Sequence, residues 1–429
     1  MTARSPEAGG AAGRAAAFAV GVGLLAALAL MLWIFGTALL PPAAVTGPTL
    51  GPAAESEPPA APVETVTDEP PAGSPGKAIS RSDAEKAGLV PREARWWEPL
   101  GTGGAVRCRL CPRGCAIAPG GRGYCRARSN FDGKLFTLVY GAAVSANSWD
   151  PIEKKPLYHV LPGTRVTSVA AAGCDLACIF CQNWEISQAY PEATPHDRLS
   201  PEQIVAAARR AGSSAVAYTY TEPTVFYEYM LDTARLARKA GLRNLWITCG
   251  YIEEKPLREL AGVLDAANVD LKGFTDEFYR KYCDAERAPV MRTIKVLREL
   301  GVHQEITNLV IPGANDDEQS VRAMCKWLVA EVGADVPLHF SRYHPDYKMR
   351  SPGPTPLETL VRLRAIAREE GLKFVYIGNA AAQDGGTTRC PKCSAALVER
   401  GYGYEVDKQR VRPDGTCPDC GARVPGIWK

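Results

Sequence analysis

Neither sign of charge dominates this sequence. Lys and Arg number 50 against 47 Asp and Glu, a formal net charge of +3. A field of that size draws the chain neither to nucleic acid nor to an acidic surface, so no nucleic-acid partner is expected. Cysteine is plentiful, at 14, but the scattered spacing of a disulfide framework is missing. Eleven of the 14 fall in three tight clusters, leaving Cys249, Cys283 and Cys325 outside. Such clusters read as metal sites in a reducing compartment. Two stretches lack charge in different ways. Residues 15–40 carry none at all, and residues 41–76 carry ten prolines, five acidic residues and no basic one.

The charge-free run includes Leu24, Leu25, Leu28, Leu30, Leu32, Trp33, Ile34 and Phe35. As a helix it would reach about 39 Å, more than the ~30 Å hydrocarbon core of a bilayer. A signal peptide's apolar region is shorter, about 7–15 residues. A retained single-pass transmembrane helix is therefore expected over 15–40, behind a short tail at 1–14. The proline-rich acidic stretch cannot bury a core and reads as an extended tether, taken to run from 41 to 95, with a short helix allowed over 80–88.

A fourth ligand is what the central motif lacks. Cys174, Cys178 and Cys181 stand at C-x3-C-x2-C spacing, and no Cys or His follows within ten residues of Cys181. Zinc normally takes four protein ligands in a structural site. Iron–sulfur clusters are held by cysteine thiolates, usually four. Three would leave one iron of a 4Fe–4S cube open, and an open position is what distinguishes catalytic from structural metal sites. Residues 166–172 read as a buried strand. The cysteines thus follow a strand's C-terminal end, where α/β barrels keep their chemistry.

The other two clusters are closed. Cys108, Cys111, Cys115 and Cys125, at C-x2-C-x3-C-x9-C with glycines between, mark a metal module over 96–135. Four thiolates there suit structural zinc or a second Fe–S cluster. Cys390, Cys393, Cys417 and Cys420 form two C-x2-C knuckles, a zinc-ribbon pattern over 386–429 with a hairpin between the pairs.

Between them strand and helix patterns alternate. Strand-like runs lie at 215–220, 244–248, 268–271, 305–311, 338–340 and 374–377. Helical runs lie at 201–211, 225–240, 256–266, 290–300, 318–332 and 356–370. Ser200, Asp316 or Asp317, and Thr355 are the expected caps. Gly212, Gly241, Gly301, Gly333 and Gly371 stand where five helices should stop. Repeated β-α units mean a parallel sheet with helices outside, a partial or full TIM-like β/α barrel over 136–385. The charged stretch 150–159 reads as surface scaffolding before the first strand. Polar residues gather at the strand ends: Thr219, Tyr220, Thr221 and Glu222; Thr248 and Cys249; Asp270 and Lys272; Thr307 and Asn308; His339, Arg342 and His344. Convergence at one barrel mouth fits a small-molecule site.

The cysteine spacing resembles the signature of the radical S-adenosylmethionine superfamily. With Gln182-Asn183-Trp184-Glu185-Ile186-Ser187-Gln188, and with the stretches 150–158, 218–223, 269–274 and 376–379, the chain resembles the radical enzymes of the AmmeMemoRadiSam system, relatives of pyruvate formate-lyase activating enzymes. The resemblance covers roughly 108–393. It implies a 4Fe–4S cluster on Cys174, Cys178 and Cys181 that binds S-adenosylmethionine. Splitting of the sulfonium C–S bond would release methionine and a 5′-deoxyadenosyl radical, which takes hydrogen from a substrate. By match to the family, Glu222 would hold the methionine amino group, with Thr221 beside it. Lys272, near Asp270, would lie by the carboxylate. Phe180, Gln182, Asn183 and His339 are candidates for the adenosine side. Tyr220 and Thr221 stand where activating enzymes have glycines, and Cys249 where relatives more often carry asparagine.

The same resemblance implies a low-potential electron donor of flavodoxin or ferredoxin type, with Memo-like and AMMECR-like proteins as candidate partners. Two other readings stand beside it, a glycyl-radical activase and a non-catalytic, membrane-tethered metal-binding adaptor. Membrane sidedness is contested within the sequence. Arg4 and Arg14 precede the apolar run and no basic residue follows until Lys77, which favours a folded part outside. The cofactor and the clustered thiols favour the inside. The expectation is a catalytic domain on the cytoplasmic face.

Overall fold

The computed structural model describes residues 77–401 and 403–429. The expected membrane helix at 15–40 and the proline-rich stretch 41–76 lie outside these. Among the described residues no helix is long and apolar enough to cross a membrane.

The core is one eight-stranded sheet: β1 (Ser145–Pro151), β2 (Arg165–Ala170), β3 (Ala215–Tyr218), β4 (Arg243–Thr248), β5 (Ala266–Asp270), β6 (His303–Val310), β7 (Leu338–Arg342) and β8 (Val375–Gly378). Each strand pairs with its predecessor in sequence. β1 runs antiparallel to β2, and the other pairings are parallel. β1 and β8 are the two free edges, so the barrel is partial. Six helices cross between successive parallel strands: α1 (Pro201–Arg210), α2 (Tyr227–Lys239), α3 (Glu254–Ala261), α4 (Arg287–Glu299), α5 (Glu318–Glu331) and α6 (Leu357–Glu369).

Local chemistry explains these elements. Ser200 and Gln203 form a reciprocal capping box at the start of α1, and Ile204, Val205 and Ala208 bury its inner face. Asp317 caps α5 through the Ser320 N–H. Thr355 is not the cap of α6. Its hydroxyl donates to the Val310 carbonyl and accepts from the Tyr343 N–H, which ties β6 to β7, and Pro356 takes the cap position. The five expected glycines each follow a helix in the left-handed region.

The stretch 150–159 is not surface scaffolding. It turns into the barrel, where Ile152, Leu157 and Val160 pack on Val166 of β2, Ala215 and Ala217 of β3, Leu245 of β4 and Ala266 of β5. Glu305 of β6 holds this plug from within. Its carboxylate accepts the backbone N–H of Tyr158 at 3.0 Å, that of His159 at 2.7 Å and His339 Nε2 at 2.7 Å. The C-terminal module holds it from the other side. Its three-stranded antiparallel sheet, Thr388–Arg389, Ala396–Arg400 and Val406–Gln409, places Arg400 over the Tyr158 ring and against buried Glu153 at 3.4 Å. Gly426 sits so close that a Cβ there would lie 2.4 Å from the His159 carbonyl. No larger residue fits.

Residues 77–95, expected as tether, are folded. Ile79, Ala84 and Leu89 pack on Phe131, Leu138 and Ala142. Arg92-Glu93 pairs with Phe136-Thr137. The four-cysteine module above them docks on the barrel through Arg128, whose guanidinium meets Glu228 of α2 at 2.7 and 2.8 Å in a fully buried pair.

His159 makes the fold pH-sensitive. Its Nδ1 donates to the Pro425 carbonyl at 2.6 Å and its Nε2 accepts from the Tyr376 hydroxyl at 2.6 Å. Burial pushes its pKa down to about 3. An unfolded histidine takes its proton near pH 6.5. The unfolded chain therefore binds more protons between these values, and stability falls as pH drops through that window, by up to about 1.4 kcal/mol per pH unit. His159→Gln should start less stable at pH 7 and lose about 2 kcal/mol less than the unaltered chain between pH 6.5 and 5, measured by urea unfolding. Equal pH slopes would refute this.

Candidate functional site

The parallel strands deliver their C-terminal ends to one cavity of about 360 Å³. Register does this: Tyr218 pairs with both Val169 and Trp246, so the chain leaves β2, β3 and β4 at one level. After β2, Gly173 takes φ of +104°, and a Cβ on it would lie 2.5 Å from the Cys125 carbonyl. The cysteine loop beyond is pinned by backbone bonds from Ala177 N–H to the Cys283 carbonyl and from Ile179 N–H to the Tyr282 carbonyl, both 3.0 Å. Cys174, Cys178 and Cys181 all face the cavity. Leu176 N–H points at Cys174 Sγ at 3.4 Å, and Ser187 Oγ lies 3.2 Å from Cys181 Sγ. Three sulfurs on one wall, two of them buried, with nearby donors, fit a thiolate-held cluster.

Two cysteines that the spacing left outside the clusters stand beside these. Cys249 lines the same cavity, and the Cys283 backbone carbonyl accepts the Ala177 N–H of the cysteine loop. Only folding shows this, since they come from the end of β4 and from a π-helical turn at Tyr279–Cys283.

Phe180, Gln182, Asn183, Thr221, Asp270, Lys272 and His339 also line the cavity, as the sequence suggested. Lys272 Nζ lies 2.9 Å from Asp270. Against the desolvation of burial, that carboxylate and the neighbouring thiols hold Lys272 protonated, with its pKa well above the ordinary value. Asn308, Arg342 and His344 are not on the wall. Asn308 and Arg342 spend their donors on the Leu271 and Thr355 carbonyls.

Glu222 corrects an expectation. It is fully buried behind the wall, and both oxygens are taken. One accepts Thr224 N–H at 3.0 Å, Thr224 Oγ1 at 2.7 Å and Thr248 Oγ1 at 2.7 Å; the other accepts Cys249 N–H at 2.6 Å. It positions the wall that Thr248 and Cys249 present, rather than forming it.

The plug supplies wall residues that sequence reasoning missed: Glu153, Lys154 and Tyr158. Behind them Asp150 accepts from Lys155 at 2.8 Å, from Ser168 at 2.7 Å and from the Tyr220 hydroxyl. Burial lowers Lys155 to about 8, opposed by Asp150. Asp150, despite its own desolvation, is held below the usual carboxylate range by these donors. The network explains the backbone at Tyr220. Its φ is +68°, strained for any side chain by about 1–2 kcal/mol, and the anchored hydroxyl offsets that strain. The peptide stays usable: Asn183 Nδ2 donates to the Tyr220 carbonyl at 2.9 Å. No local signal separates this stretch from a charged surface loop, because its partners Ser168 and Tyr220 lie 18 and 70 residues away.

Cys390, Cys393, Cys417 and Cys420 form a separate centre, with all four sulfurs within 4.8 Å of one another. Separations of 3.5 Å (Cys390 to Cys420) and 3.8 Å (Cys393 to Cys417) suit one tetrahedral ion.

Glu222→Gln should destabilise the cluster-free protein by about 1–3 kcal/mol in urea unfolding, because an amide cannot accept from all four donors. Unchanged stability would mean that the carboxylate serves only a bound ligand.

A model of the Radical SAM superfamily matches residues 169–325. An uncharacterized protein of Methanocaldococcus jannaschii is 48% identical over 336 residues, 78% of this chain and 98% of the relative. The pyruvate formate-lyase 1-activating enzyme of Escherichia coli is 23% identical over 220 residues, 48% of this chain and 89% of that protein. A radical SAM methyltransferase structure from Sphaerobacter thermophilus aligns at TM-score 0.41 and 16% identity, over 70% of this chain and 80% of that one. The assignment rests on the family model and the two sequence relatives: this chain belongs to the Radical SAM superfamily of enzymes and is homologous to the activating enzymes of pyruvate formate-lyase.

Proposed function

We propose that the chain is a radical enzyme of the AmmeMemoRadiSam type, acting on a substrate that enters the barrel mouth. The observation that carries this is the convergence of Cys174, Cys178 and Cys181 with Lys272, Asp270 and Asn183 on one cavity. Its volume of about 360 Å³ falls in the range of small-molecule sites. A 4Fe–4S cluster bound there would supply the electron that splits S-adenosylmethionine into methionine and a 5′-deoxyadenosyl radical. The chain's own residues do the rest. Lys272, held protonated, pairs with a carboxylate. Thr248 and Cys249, fixed by Glu222, and Thr221, tied to the Ala171 carbonyl, shape the wall beside it. Asn183 and the Tyr220 peptide form one polar edge, and Phe180 and His339 offer flat faces for a base. Glu153, Lys154 and Tyr158 make the floor where a substrate would rest.

Similarity to an enzyme named as an activator of pyruvate formate-lyase supports a second reading, a protein substrate that receives a glycyl radical. The low-potential donor, and Memo-like and AMMECR-like partners, belong to the same proposal. The C-terminal centre is proposed to hold zinc, for structure. Residues 15–40 are proposed to anchor the chain, with the enzyme on the cytoplasmic face, because a low-potential cluster and its thiols need a reducing space.

Alanine at Cys174, Cys178 and Cys181 together should abolish 5′-deoxyadenosine formation under dithionite and leave zinc content unchanged. Continued 5′-deoxyadenosine formation would sink the assignment. A glycyl radical signal on a partner protein would select the second reading. For the membrane side, Ser56→Cys should escape an impermeant thiol reagent in intact cells and react after lysis. Labelling before lysis would place the tether outside.

A further inference from the structure

The hairpin between the two C-terminal knuckles reaches the barrel cavity. Its strands, Ala396–Arg400 and Val406–Gln409, are joined by a turn in which the Gly401 N–H donates to the Glu405 carbonyl at 3.1 Å. Tyr404, in that turn, lines the cavity. Its hydroxyl donates to Asn379 Oδ1 at 2.9 Å, and Asn379 Nδ2 donates to Ser341 Oγ at 2.8 Å. Asn379 follows β8, a free edge of the barrel, and it and Ser341 line the cavity too. Tyr404 and Asn379 both hold left-handed backbones, with φ of +70° and +56°. Such strain persists where the surroundings impose it, and it gathers at ligand clamps. The C-terminal module thus lends a side chain to the cavity at the place where the sheet ends.

Glu153 points to what rests there. It lines the cavity and is 1% exposed. Its Oε1 accepts from the Gly163 N–H at 2.9 Å and from Arg400 Nε at 3.4 Å. Its Oε2 has no partner among the described residues. Arg400 is not spare, because its other nitrogens are held by the Gly386 and Tyr158 carbonyls and by Thr388 Oγ1. Thr307 of β6 also lines the cavity, and its Oγ1 is unpartnered as well. Buried oxygens are seldom left so, because each lost hydrogen bond is costly. A carboxylate oxygen beside a hydroxyl calls for an N–H or O–H donor.

Position separates this donor from the cysteine side. The plug that carries Glu153 packs on Val166, Ala215 and Ala266, at the starts of β2, β3 and β5. Cys174 and Lys272 lie beyond the other ends of β2 and β5.

We infer that the floor and the hairpin form the substrate subsite. Glu153 and Thr307 bind a polar substrate through its N–H or O–H donor, and Tyr404, held by Asn379, closes the side of the cavity and limits what enters. The subsite rests on the radical-enzyme reading; the closing role of Tyr404 does not.

Two probes test the subsite: carbon-deuterated glycerol, rich in O–H donors, and deuterated tetrahydrofuran, which has none. They are added to the reconstituted full chain with S-adenosylmethionine and dithionite. A deuterium atom that passes from a probe carbon to the 5′-deoxyadenosyl radical labels the 5′-deoxyadenosine and leaves a carbon radical on the probe. Label per 5′-deoxyadenosine formed should saturate with glycerol and rise linearly with tetrahydrofuran. Glu153→Gln puts an amide donor where Oε2 stands and should abolish the saturation. Saturation by both probes or by neither, or saturation that survives Glu153→Gln, overturns the subsite. A raised KM for S-adenosylmethionine in Glu153→Gln with label transfer unaltered would assign the carboxylate to the cofactor, which also overturns it. Failure to form any 5′-deoxyadenosine would sink the radical-enzyme reading and the subsite with it.

The closing role is read without a cluster. In the cluster-free full chain, N-ethylmaleimide should modify Cys249, which lines the cavity, several-fold faster in Tyr404→Ala than in the unaltered chain. Peptide mass spectrometry gives the rate relative to Cys325, buried outside the cavity, so that general loosening cancels. Tyr404→Phe keeps the ring, loses only the bond to Asn379 and should fall between the two. Equal relative rates in all three chains overturn the closing role.

Discussion

One buried carboxylate organises the middle of this molecule. Glu305 accepts two consecutive backbone N–H groups of the plug and the ring of His339. Although burial opposes its charge, His303 and His339 keep its pKa well below the ordinary range. Without it, two backbone donors would lie unpaired inside the barrel, each costing about 1–3 kcal/mol. The plug would then lose its register, and with it go the cavity floor at Tyr158, the His159 contact to the C-terminal module and the orientation of His339 on the wall. The ladder of parallel strands makes the barrel, and Glu305 makes it a container.

The cavity wall depends on groups one layer back in the same way. Glu222 sets Thr248 and Cys249 by accepting from them; Asp150 sets Tyr220 through its hydroxyl and so holds a strained peptide where Asn183 can reach it. Residues that resemble ligands by position can instead be the braces of the ligands. At Tyr220 the chain reaches a glycine-like backbone by tethering a large side chain.

Most of the barrel was legible because its signals are local. Glycine after each helix, a serine and an aspartate before two of them, and strand runs of small and β-branched residues all act within a few residues of themselves. The three-cysteine spacing named the chemistry for the same reason. What stayed hidden was long-range. Nothing near Asp150 announces that it meets Tyr220, 70 residues on, or near Arg128 that it meets Glu228, 100 residues on. Residues 77–95 looked like tether because their few apolar side chains are too sparse to make a core alone; they borrow one from Phe131 and Leu138. Thr355 looked like a cap and became a strand tie. Glu222, placed by resemblance at a bound amino group, spends its carboxylate on Thr224 and, 26 and 27 residues on, on Thr248 and Cys249.

Gathering thiols in one cavity carries a liability for assembly. Cys249 lines the cavity with Cys174, Cys178 and Cys181, so four sulfurs share one solvent-reachable space. A thiol that meets an oxidant climbs from sulfenic to sulfinic and sulfonic acid, and the later steps are not reversed. Under the proposed function, a newly folded chain is therefore most vulnerable before its cluster arrives, and the timing of delivery bears on how much of the synthesised protein becomes enzyme.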